Sequence, residues 1–272
     1  KLEAPGAPLF IGRRSELRRL ADAIADLARG HGQTIFVSGE AGAGKTALVR
    51  AALQHDPSGG ERGLRVFWAG CHPVRDIEEA QPYGFWQQIL GTAAPILAHR
   101  ADIAPALLNQ LLPLVPDLAV LRRGLLAPSQ PSASDLRGTI KQALLALAQP
   151  EPFVVAIEDA HWADRLSLEL ADDIASSTNA LLLVITHRAG DASKALQDLK
   201  RVLRRRRRAQ DLTLAPFTSE ESRRFLEEAL GGHALTPGLI DELTAYANGL
   251  PLLLREAVDS LLDAWPEAVP VR

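Results

Sequence analysis

The sequence predicts an α/β fold with a mostly parallel sheet, followed by a small all-helical region. Short apolar runs bounded by turn residues alternate with helical patterns; the runs are TIFVSG, RVFWAG, FVVAI, ALLLVI and the weaker DLTLAPF. Strands that alternate with helices usually lie parallel in one sheet. After Pro216 the strand signals end, and start and stop signals for helices follow.

Helices and strands are predicted to alternate from the start of the chain. A first helix is predicted over residues 14 to 29, because apolar residues recur at helical spacing and Gly30 follows as a stop. TIFVSG then reads as a buried strand that leads into a helix, ALVRAAL. Residues 72 to 134, between the second and third strands, are interpreted as a helical insertion with a Pro/Ser-rich loop. A helix over 135 to 148 returns the chain to the sheet.

The chain is predicted to divide into an α/β core, residues 1 to 214, and a helical lid, residues 215 to 272. Thr218 and Glu221 have the spacing of a capping box at the start of a helix. An Asn-Gly pair just before Pro251 indicates that one helix ends and another begins there. Several short helices are therefore expected at the end of the chain.

Composition narrows the choice of partners and compartment. The net charge of −3 gives no general reason to expect nucleic acid as a partner. A single cysteine, Cys71, excludes an internal disulfide and fits a reducing compartment, so we expect the cytoplasm. No apolar run approaches the roughly 20 residues that span a bilayer, so no membrane contact is expected. Because the 272 residues contain no Met, we expect a segment of a longer protein whose further domains are partners.

The segment GEAGAGKT matches the phosphate-binding loop G-x-x-x-x-G-K-[ST], and it stands where that loop is functional, between a buried strand and a helix. Glycines let backbone N–H groups surround phosphate oxygens, Lys45 is placed to reach the β and γ phosphates, and the Thr46 hydroxyl can ligate Mg²⁺. The residues predicted to contact nucleotide are Gly39, Glu40, Ala41, Gly42, Ala43, Gly44, Lys45, Thr46 and Ala47.

A second buried run, VVAIEDAHWAD, ends in the acidic pair Glu158-Asp159, the expected complement of a phosphate loop. Successive side chains of an extended strand point to opposite faces. On that basis Glu158 is assigned to the metal, directly or through water, and Asp159 to orienting or deprotonating the attacking water. The alternative is a pair of acidic residues that merely opens a surface loop.

Other polar residues carry weaker signals. The run LLLVITHR ends a predicted strand with Arg188, a candidate sensor of the γ-phosphate; the alternative is a solvated arginine at a strand end. His161 and His187 have no partner cluster and are interpreted as packing or hydrogen-bonding residues. The five arginines 204 to 208 lack interleaved aromatic residues, so a solvated helix end is favoured over a nucleic-acid site.

Taken together, the motifs resemble the nucleotide-binding module of STAND-class ATPases, the AAA+ and NACHT-like signal-transduction ATPases with numerous domains. The closest resemblance is to the large ATP-binding LuxR-type transcriptional regulators and their cyclase-linked relatives. The matching segments span nearly the whole chain: FIGRRSELRRL, GEAGAGKTALV, PYGFWQQIL, LLPLVPDL, IEDAHWADRLSLELADDIA, LLLVITHR, LTLAPFTSEESRRFLEEAL and NGLPLLLREAV.

The resemblance implies a three-layer P-loop NTPase that switches between ATP and ADP, with Mg²⁺ as cofactor, slow hydrolysis and nucleotide-dependent self-association. It implies Ile11, Gly12 and Arg13 near the adenine, Arg188 at the γ-phosphate, and Pro251 of the lid closing on the nucleotide. One departure is Glu158, where the family more often has Asp.

Two other classes of function remain open at this point. The GRRSEL start also resembles AAA+ remodelling or origin-recognition ATPases, and Arg255 could stand for the lid arginine of such a motor; a ring-forming ATPase stimulated by a polymer would indicate this class. A third possibility is a non-hydrolysing scaffold that retains ADP as a structural ligand.

Overall fold

A computed structural model of the chain describes residues 12–54, 64–73, 81–126, 133–230 and 236–264. Within these ranges, five strands form one sheet in the order β2-β3-β4-β1-β5, and all neighbouring strands are parallel. The strands are β1 (Thr34–Gly39), β2 (Arg65–Gly70), β3 (Phe153–Glu158), β4 (Leu181–Arg188) and β5 (Ala209–Leu214). The predicted α/β fold with a mostly parallel sheet is confirmed.

Helices cover both faces of the sheet and form the end of the described chain. They are α1 (Arg14–Ala28), α2 (Lys45–Gln54), α3 (Gly84–His99), α4 (Pro105–Leu111), α5 (Leu118–Leu121), α6 (Ala133–Leu147), α7 (Arg165–Ser177), α8 (Lys194–Arg205), α9 (Ser219–Ala229), α10 (Pro237–Ala247) and α11 (Pro251–Ala264). Helices α3 to α5 fall in the segment interpreted as a helical insertion. None of the described helices combines the length and apolar character needed to cross a bilayer.

Three layers result from the period-two alternation of strand side chains. In β3, Val154 and Ala156 pack with α1 and α2, whereas Phe153, Val155 and Ile157 pack on the other face with α3, α6, α7 and α8. Strands β1, β3 and β4 are buried on both faces, which explains why their sequences are continuous apolar runs. Helices α9 to α11 form a separate small core of their own.

Strand β4 ends at Arg188, as the run LLLVITHR predicts, because its polar end still pairs with β1. The bounds of β5 differ from the predicted ones. Strand β5 begins at Ala209 and ends at Leu214, so the predicted continuation through Pro216 is wrong. Proline has no N–H to donate to a ladder, so a strand cannot continue through it with full pairing.

Local signals at the end of the chain produce the expected helix boundaries. The Thr218 hydroxyl accepts from the Glu221 N–H and the Glu221 carboxylate accepts from the Thr218 N–H, which completes the capping box at α9. Asn248 (φ 46°) and Gly249 (φ 72°) adopt left-handed conformations between α10 and α11. A β-carbon at Gly249 would lie 2.4 Å from the Phe217 carbonyl oxygen, so only glycine fits there.

Candidate functional site

The ends of four strands meet at the carboxyl edge of the sheet. Gly39, the last residue of β1, pairs with Arg188 of β4, and Gly70 of β2 pairs with Glu158 of β3. Because β4 lies between β1 and β3, Arg188 is placed between the GEAGAGKT loop and the acidic strand end. Open parallel sheets commonly bind ligands at this edge.

The GEAGAGKT loop has the backbone shape of an anion cradle. Gly42 (φ 78°) and Gly44 (φ 88°) are left-handed, and α2 begins at once at Lys45, so its N-terminal N–H groups open toward the loop. The Lys45 side chain is buried, with 8 % exposure, and its ammonium donates to the carbonyl oxygens of Gly39 (3.1 Å) and Glu40 (2.8 Å). Ala41 and Ala47 are exposed at the rim, while Ala43 is buried beneath it.

Burial lowers the pKa of Lys45; the Asp159 carboxylate opposes that shift and Arg188 adds to it. Among the described residues, no carboxylate lies within ion-pair distance of this ammonium. A buried cation held only by neutral carbonyls is suited to a polyanion entering the loop. The loop therefore fits the phosphates of a nucleotide.

Asp159 lies where the chain leaves the sheet. Strand β3 ends at Glu158, Asp159 is left-handed (φ 53°, ψ 43°), and a short 3-10 turn follows over Ala160–Trp162. The Asp159 N–H donates to the Thr186 hydroxyl of β4 (3.1 Å), and the carboxylate is half exposed. The argument that Glu158 and Asp159 alternate along an extended strand is therefore wrong at Asp159, since the chain turns there and strand alternation no longer sets its direction.

Glu158 faces helix α2. Its Oε1 atom is buried, accepts no hydrogen bond among the described residues, and lies 3.9 Å from the Arg50 guanidinium. Thr46 is four residues before Arg50 on α2, so the two share a face of the helix. A buried carboxylate oxygen without a donor, beside the helix that carries a hydroxyl, fits the hard-oxygen ligand set of Mg²⁺.

His161 is a buried ring beside the acidic strand end. Its Nδ1 is 3.9 Å from Asp159 Oδ1, and neither ring nitrogen has a hydrogen-bond partner among the described residues. Burial lowers its pKa, Asp159 opposes the shift and Arg188 adds to it. His187 has a different environment: its Nε2 is 3.0 Å from the Lys200 ammonium, and its Nδ1 is 2.9 Å from the Arg188 carbonyl.

Asp164 is a residue whose role the motif analysis missed. Its carboxylate accepts from the backbone N–H groups of Tyr83 (3.2 Å) and Gly84 (3.1 Å), and from the N–H (2.8 Å) and hydroxyl (2.5 Å) of Ser167. It thus caps α7 and holds the start of α3. The Asp-x-x-Ser spacing before a helix could have revealed the cap; the contact with Tyr83 has no local signal.

Helix α11 contacts the phosphate loop directly. The Leu252 N–H, in the first turn of α11, donates to the Gly42 carbonyl at 3.2 Å. A β-carbon on Gly42 would lie 3.0 Å from Leu252 Cβ, and one on Gly44 would lie 3.9 Å from Pro251 Cγ. The structure therefore brings Pro251 to the loop, and it adds Leu252, which the sequence had not singled out.

The segment expected near the adenine lies against the connection from β5 to α9. Arg13 is buried and left-handed, donates to the Ala215 carbonyl, and places its guanidinium 5.1 Å from the centre of the Phe217 ring. Gly12 lies against Glu221, since a β-carbon there would be 3.2 Å from the carboxylate. Ile11 lies outside the described residues.

The arginine run contacts the chain itself. Arg204 pairs with Asp211, Arg206 pairs with Asp172 at 2.7 Å, and Arg208 donates to backbone carbonyls of the core. Arg204 to Arg207 are nevertheless exposed at the end of α8, as expected for a solvated helix end, and Arg208 is partly buried. The contacts of Arg204, Arg206 and Arg208 lie at the amino edge of the sheet, opposite the phosphate loop, because α8 runs antiparallel to the strands.

A phosphate loop between β1 and α2, an acidic end on β3, and β4 between them define a P-loop NTPase. Comparison with known families identifies it further: residues 9–185 match the family described as AAA ATPase domain, and the chain belongs to that family. It is a nucleotide-binding ATPase module, and the family typically uses Mg²⁺. The resemblance noted in the sequence is confirmed for the family, which is the AAA ATPase domain, and for the fold, which a STAND protein shares.

Relatives show how much of a longer protein such a module occupies. An uncharacterized protein of Rhizobium meliloti (strain 1021) is 28 % identical over 270 residues, which cover 92 % of this chain and 25 % of that protein. The STAND protein with a tetratricopeptide repeat sensor from Pyrococcus horikoshii has a TM-score of 0.54 and 16 % identity, over 91 % of this chain and 29 % of that one.

The Aeropyrum pernix ORC1 protein, solved in complex with DNA, has a TM-score of 0.59 and 18 % identity, over 98 % of this chain and 65 % of that one. At these identities the two solved structures show a shared fold. The chain spans about a quarter of the bacterial relative and less than a third of the STAND protein.

Proposed function

We propose that this ATPase module is a switch within a larger regulator, one that binds Mg-ATP, hydrolyses it slowly, and changes its lid with the nucleotide state. The observation that carries the proposal is the contact of α11 with the phosphate loop, through the Leu252 N–H and the Gly42 carbonyl. The regulator that we favour is of the LuxR type, in the cytoplasm.

Through this contact, the binding of a nucleotide in the phosphate loop would change the position of the lid. A triphosphate in the loop would draw the Lys45 ammonium from the Gly39 and Glu40 carbonyls toward its own oxygens, because a charged acceptor is the stronger partner. A shift of the loop moves Gly42, which holds Leu252. A ligand that favours one loop shape therefore favours one lid position.

Residue roles follow from the positions described above. Lys45 binds the β and γ phosphates, Thr46 and Glu158 hold Mg²⁺, Asp159 orients the attacking water, and Arg188 senses the γ-phosphate. When bound, Mg²⁺ neutralises charge on the phosphate oxygens. The further nucleotide contacts we propose are Ile11, Gly12, Arg13, Gly39, Glu40, Ala41, Gly42, Ala43, Gly44, Ala47 and Pro251.

The proposal also includes the division of the chain. We assign residues 1–214 to the ATPase core, with an insertion at about 72–134, and residues 215–272 to the lid. The partners are adenine nucleotide, further domains of the longer protein, and a second copy of the module in the ATP state. The ion pairs of Arg204 and Arg206 within the chain support a module that does not contact nucleic acid directly.

The test is to denature the purified protein, identify the released nucleotide, and measure the molar mass with ATP and with ADP by light scattering. A switch releases ADP, exchanges it for ATP, self-associates with ATP, and turns over slowly. Lys45→Ala is the control and should carry no nucleotide. Rapid turnover stimulated by a polymer would instead indicate a remodelling motor, and retained ADP without exchange or turnover would indicate a scaffold.

A further inference from the structure

One arginine beside the proposed metal site has no part in the roles given so far. The Arg50 side chain is 60 % exposed, yet its guanidinium lies 3.9 Å from Glu158 Oε1 and 5.5 Å from the centre of the Trp68 ring. A cation above an indole face is attracted by the ring. Two separate contacts thus hold one end of a long side chain that could otherwise extend into solvent.

The placement of Arg50 follows from the fold. Trp68 and Glu158 lie on adjacent strands, and both are on the sheet face that α2 covers. Arg50 is one helical turn after Thr46, farther from the phosphate loop. Arg50 and Trp68 also line an open cavity of about 360 Å³, so the guanidinium has room to move away from the carboxylate.

The contacts of Glu158 leave part of the negative charge of its carboxylate uncompensated. Its side chain is only 26 % exposed, and the buried Oε1 accepts no hydrogen bond among the described residues. At 3.9 Å the guanidinium compensates part of the charge without forming a hydrogen bond. A glutamate carboxylate is one methylene farther from the backbone than an aspartate carboxylate, so it can reach toward the second turn of α2.

We propose that Arg50 is the resident counter-cation of Glu158 and that it sets how much Mg²⁺ the site needs. It stabilises the carboxylate when no metal is bound, and it competes with the metal for that carboxylate when one binds. Arg50 thereby acts through Glu158 as a positioning residue. The inference rests on the proposed function, because it takes Glu158 as a residue of the Mg²⁺ site.

The experiment titrates Mg²⁺ at fixed concentrations of chain and fluorescent ATP analogue, with binding followed by anisotropy. Arg50→Gln should lower the half-saturating Mg²⁺ concentration by about three- to tenfold, the effect expected when one cation no longer competes for the Glu158 carboxylate in a partly screened site. Arg50→Lys keeps the charge and should keep the parental value. Arg205→Gln removes an exposed arginine at the end of α8 and serves as the matched control.

The same titration in a Glu158→Gln background distinguishes the role of Arg50 from the metal role of Glu158. There, Arg50→Gln should have little further effect, since the carboxylate for which both cations compete is gone. A parental or higher Mg²⁺ requirement in Arg50→Gln, or an equal shift in both backgrounds, would overturn the inference and leave the proposed switch intact. If Glu158→Gln itself does not change the Mg²⁺ dependence, the metal role of Glu158 fails and the inference fails with it.

Discussion

Replacement of Asp164 by alanine should destabilise the core more than any change at an exposed carboxylate. The side chain accepts four hydrogen bonds, two from Ser167 at the start of α7 and two from the backbone of Tyr83 and Gly84. Tyr83 is left-handed (φ 63°), a conformation that a non-glycine residue keeps only when its surroundings hold it.

The magnitude can be worked out from these contacts. Loss of an Asp cap costs about 1–2 kcal/mol, and each backbone N–H left without a partner at a part-buried site costs about 1–3 kcal/mol. The terms are not additive, so we expect about 3–5 kcal/mol in total for Asp164→Ala. Because small proteins have about 5–15 kcal/mol of stability, this single change should remove a large fraction of it.

Urea unfolding followed by far-ultraviolet circular dichroism measures the effect, with the slope m compared between parent and variant. Asp164→Asn keeps an acceptor for the cap and should cost less than alanine. Asp198→Ala, which removes only an exposed ion pair with Arg201, is the control and should cost below about 0.5 kcal/mol. A loss below about 1 kcal/mol for Asp164→Ala would show that the four contacts do not hold α3 and α7 together.

The remaining predictions concern the nucleotide site and pH. Lys45→Ala should abolish the rise in melting temperature that ATP causes, because the buried cation of the loop is lost; a parental rise would refute the phosphate assignment. Asp159→Asn should keep ATP binding but slow single-turnover hydrolysis by about 10²-fold or more, whereas Glu158→Gln should weaken the Mg²⁺ dependence of binding, and a reversal of these effects would reverse the two roles. Burial lowers the pKa of His161 and His187 below the ordinary 6.5, so below that pH the unfolded chain binds more protons and stability falls as the pH decreases. The melting temperature should drop between pH 7.5 and 5.5, and it should drop less in a double glutamine variant of these histidines; an equal drop would contradict the argument.

The elements that sequence predicted well depend on local signals. The Thr218 and Glu221 spacing specifies a capping box within four residues, and the structure contains both of its hydrogen bonds. The buried strands were also predictable, since apolar runs bounded by turn residues suffice to find them. The phosphate loop was also predictable from a local signal, because its shape depends on glycines at fixed positions. Of these, Gly42 and Gly44 are left-handed.

The features that sequence did not predict depend on residues far apart in the chain. Asp164 holds Tyr83 across 81 positions, and Arg206 pairs with Asp172 across 34. Neither spacing has a pattern that a single sequence displays. Asp159 is a different case: strand periodicity predicts alternation only while the backbone stays extended, and the left-handed turn at this residue ends it.

The phosphate loop and α2 form one continuous segment that two other parts of the chain hold at different points. The Leu252 N–H of α11 donates to the Gly42 carbonyl near the tip of the loop, and Glu158 at the end of β3 lies beside Arg50, one turn beyond Thr46. Because α2 begins at Lys45, a ligand that repositions the lysine acts on the segment between these two points. In the proposed switch, phosphate contacts would then reach α11 through Gly42 and reach Glu158 through α2. The phosphate that distinguishes ATP from ADP would act at this junction, so the two nucleotides would favour different positions of α11 without any change in the sheet.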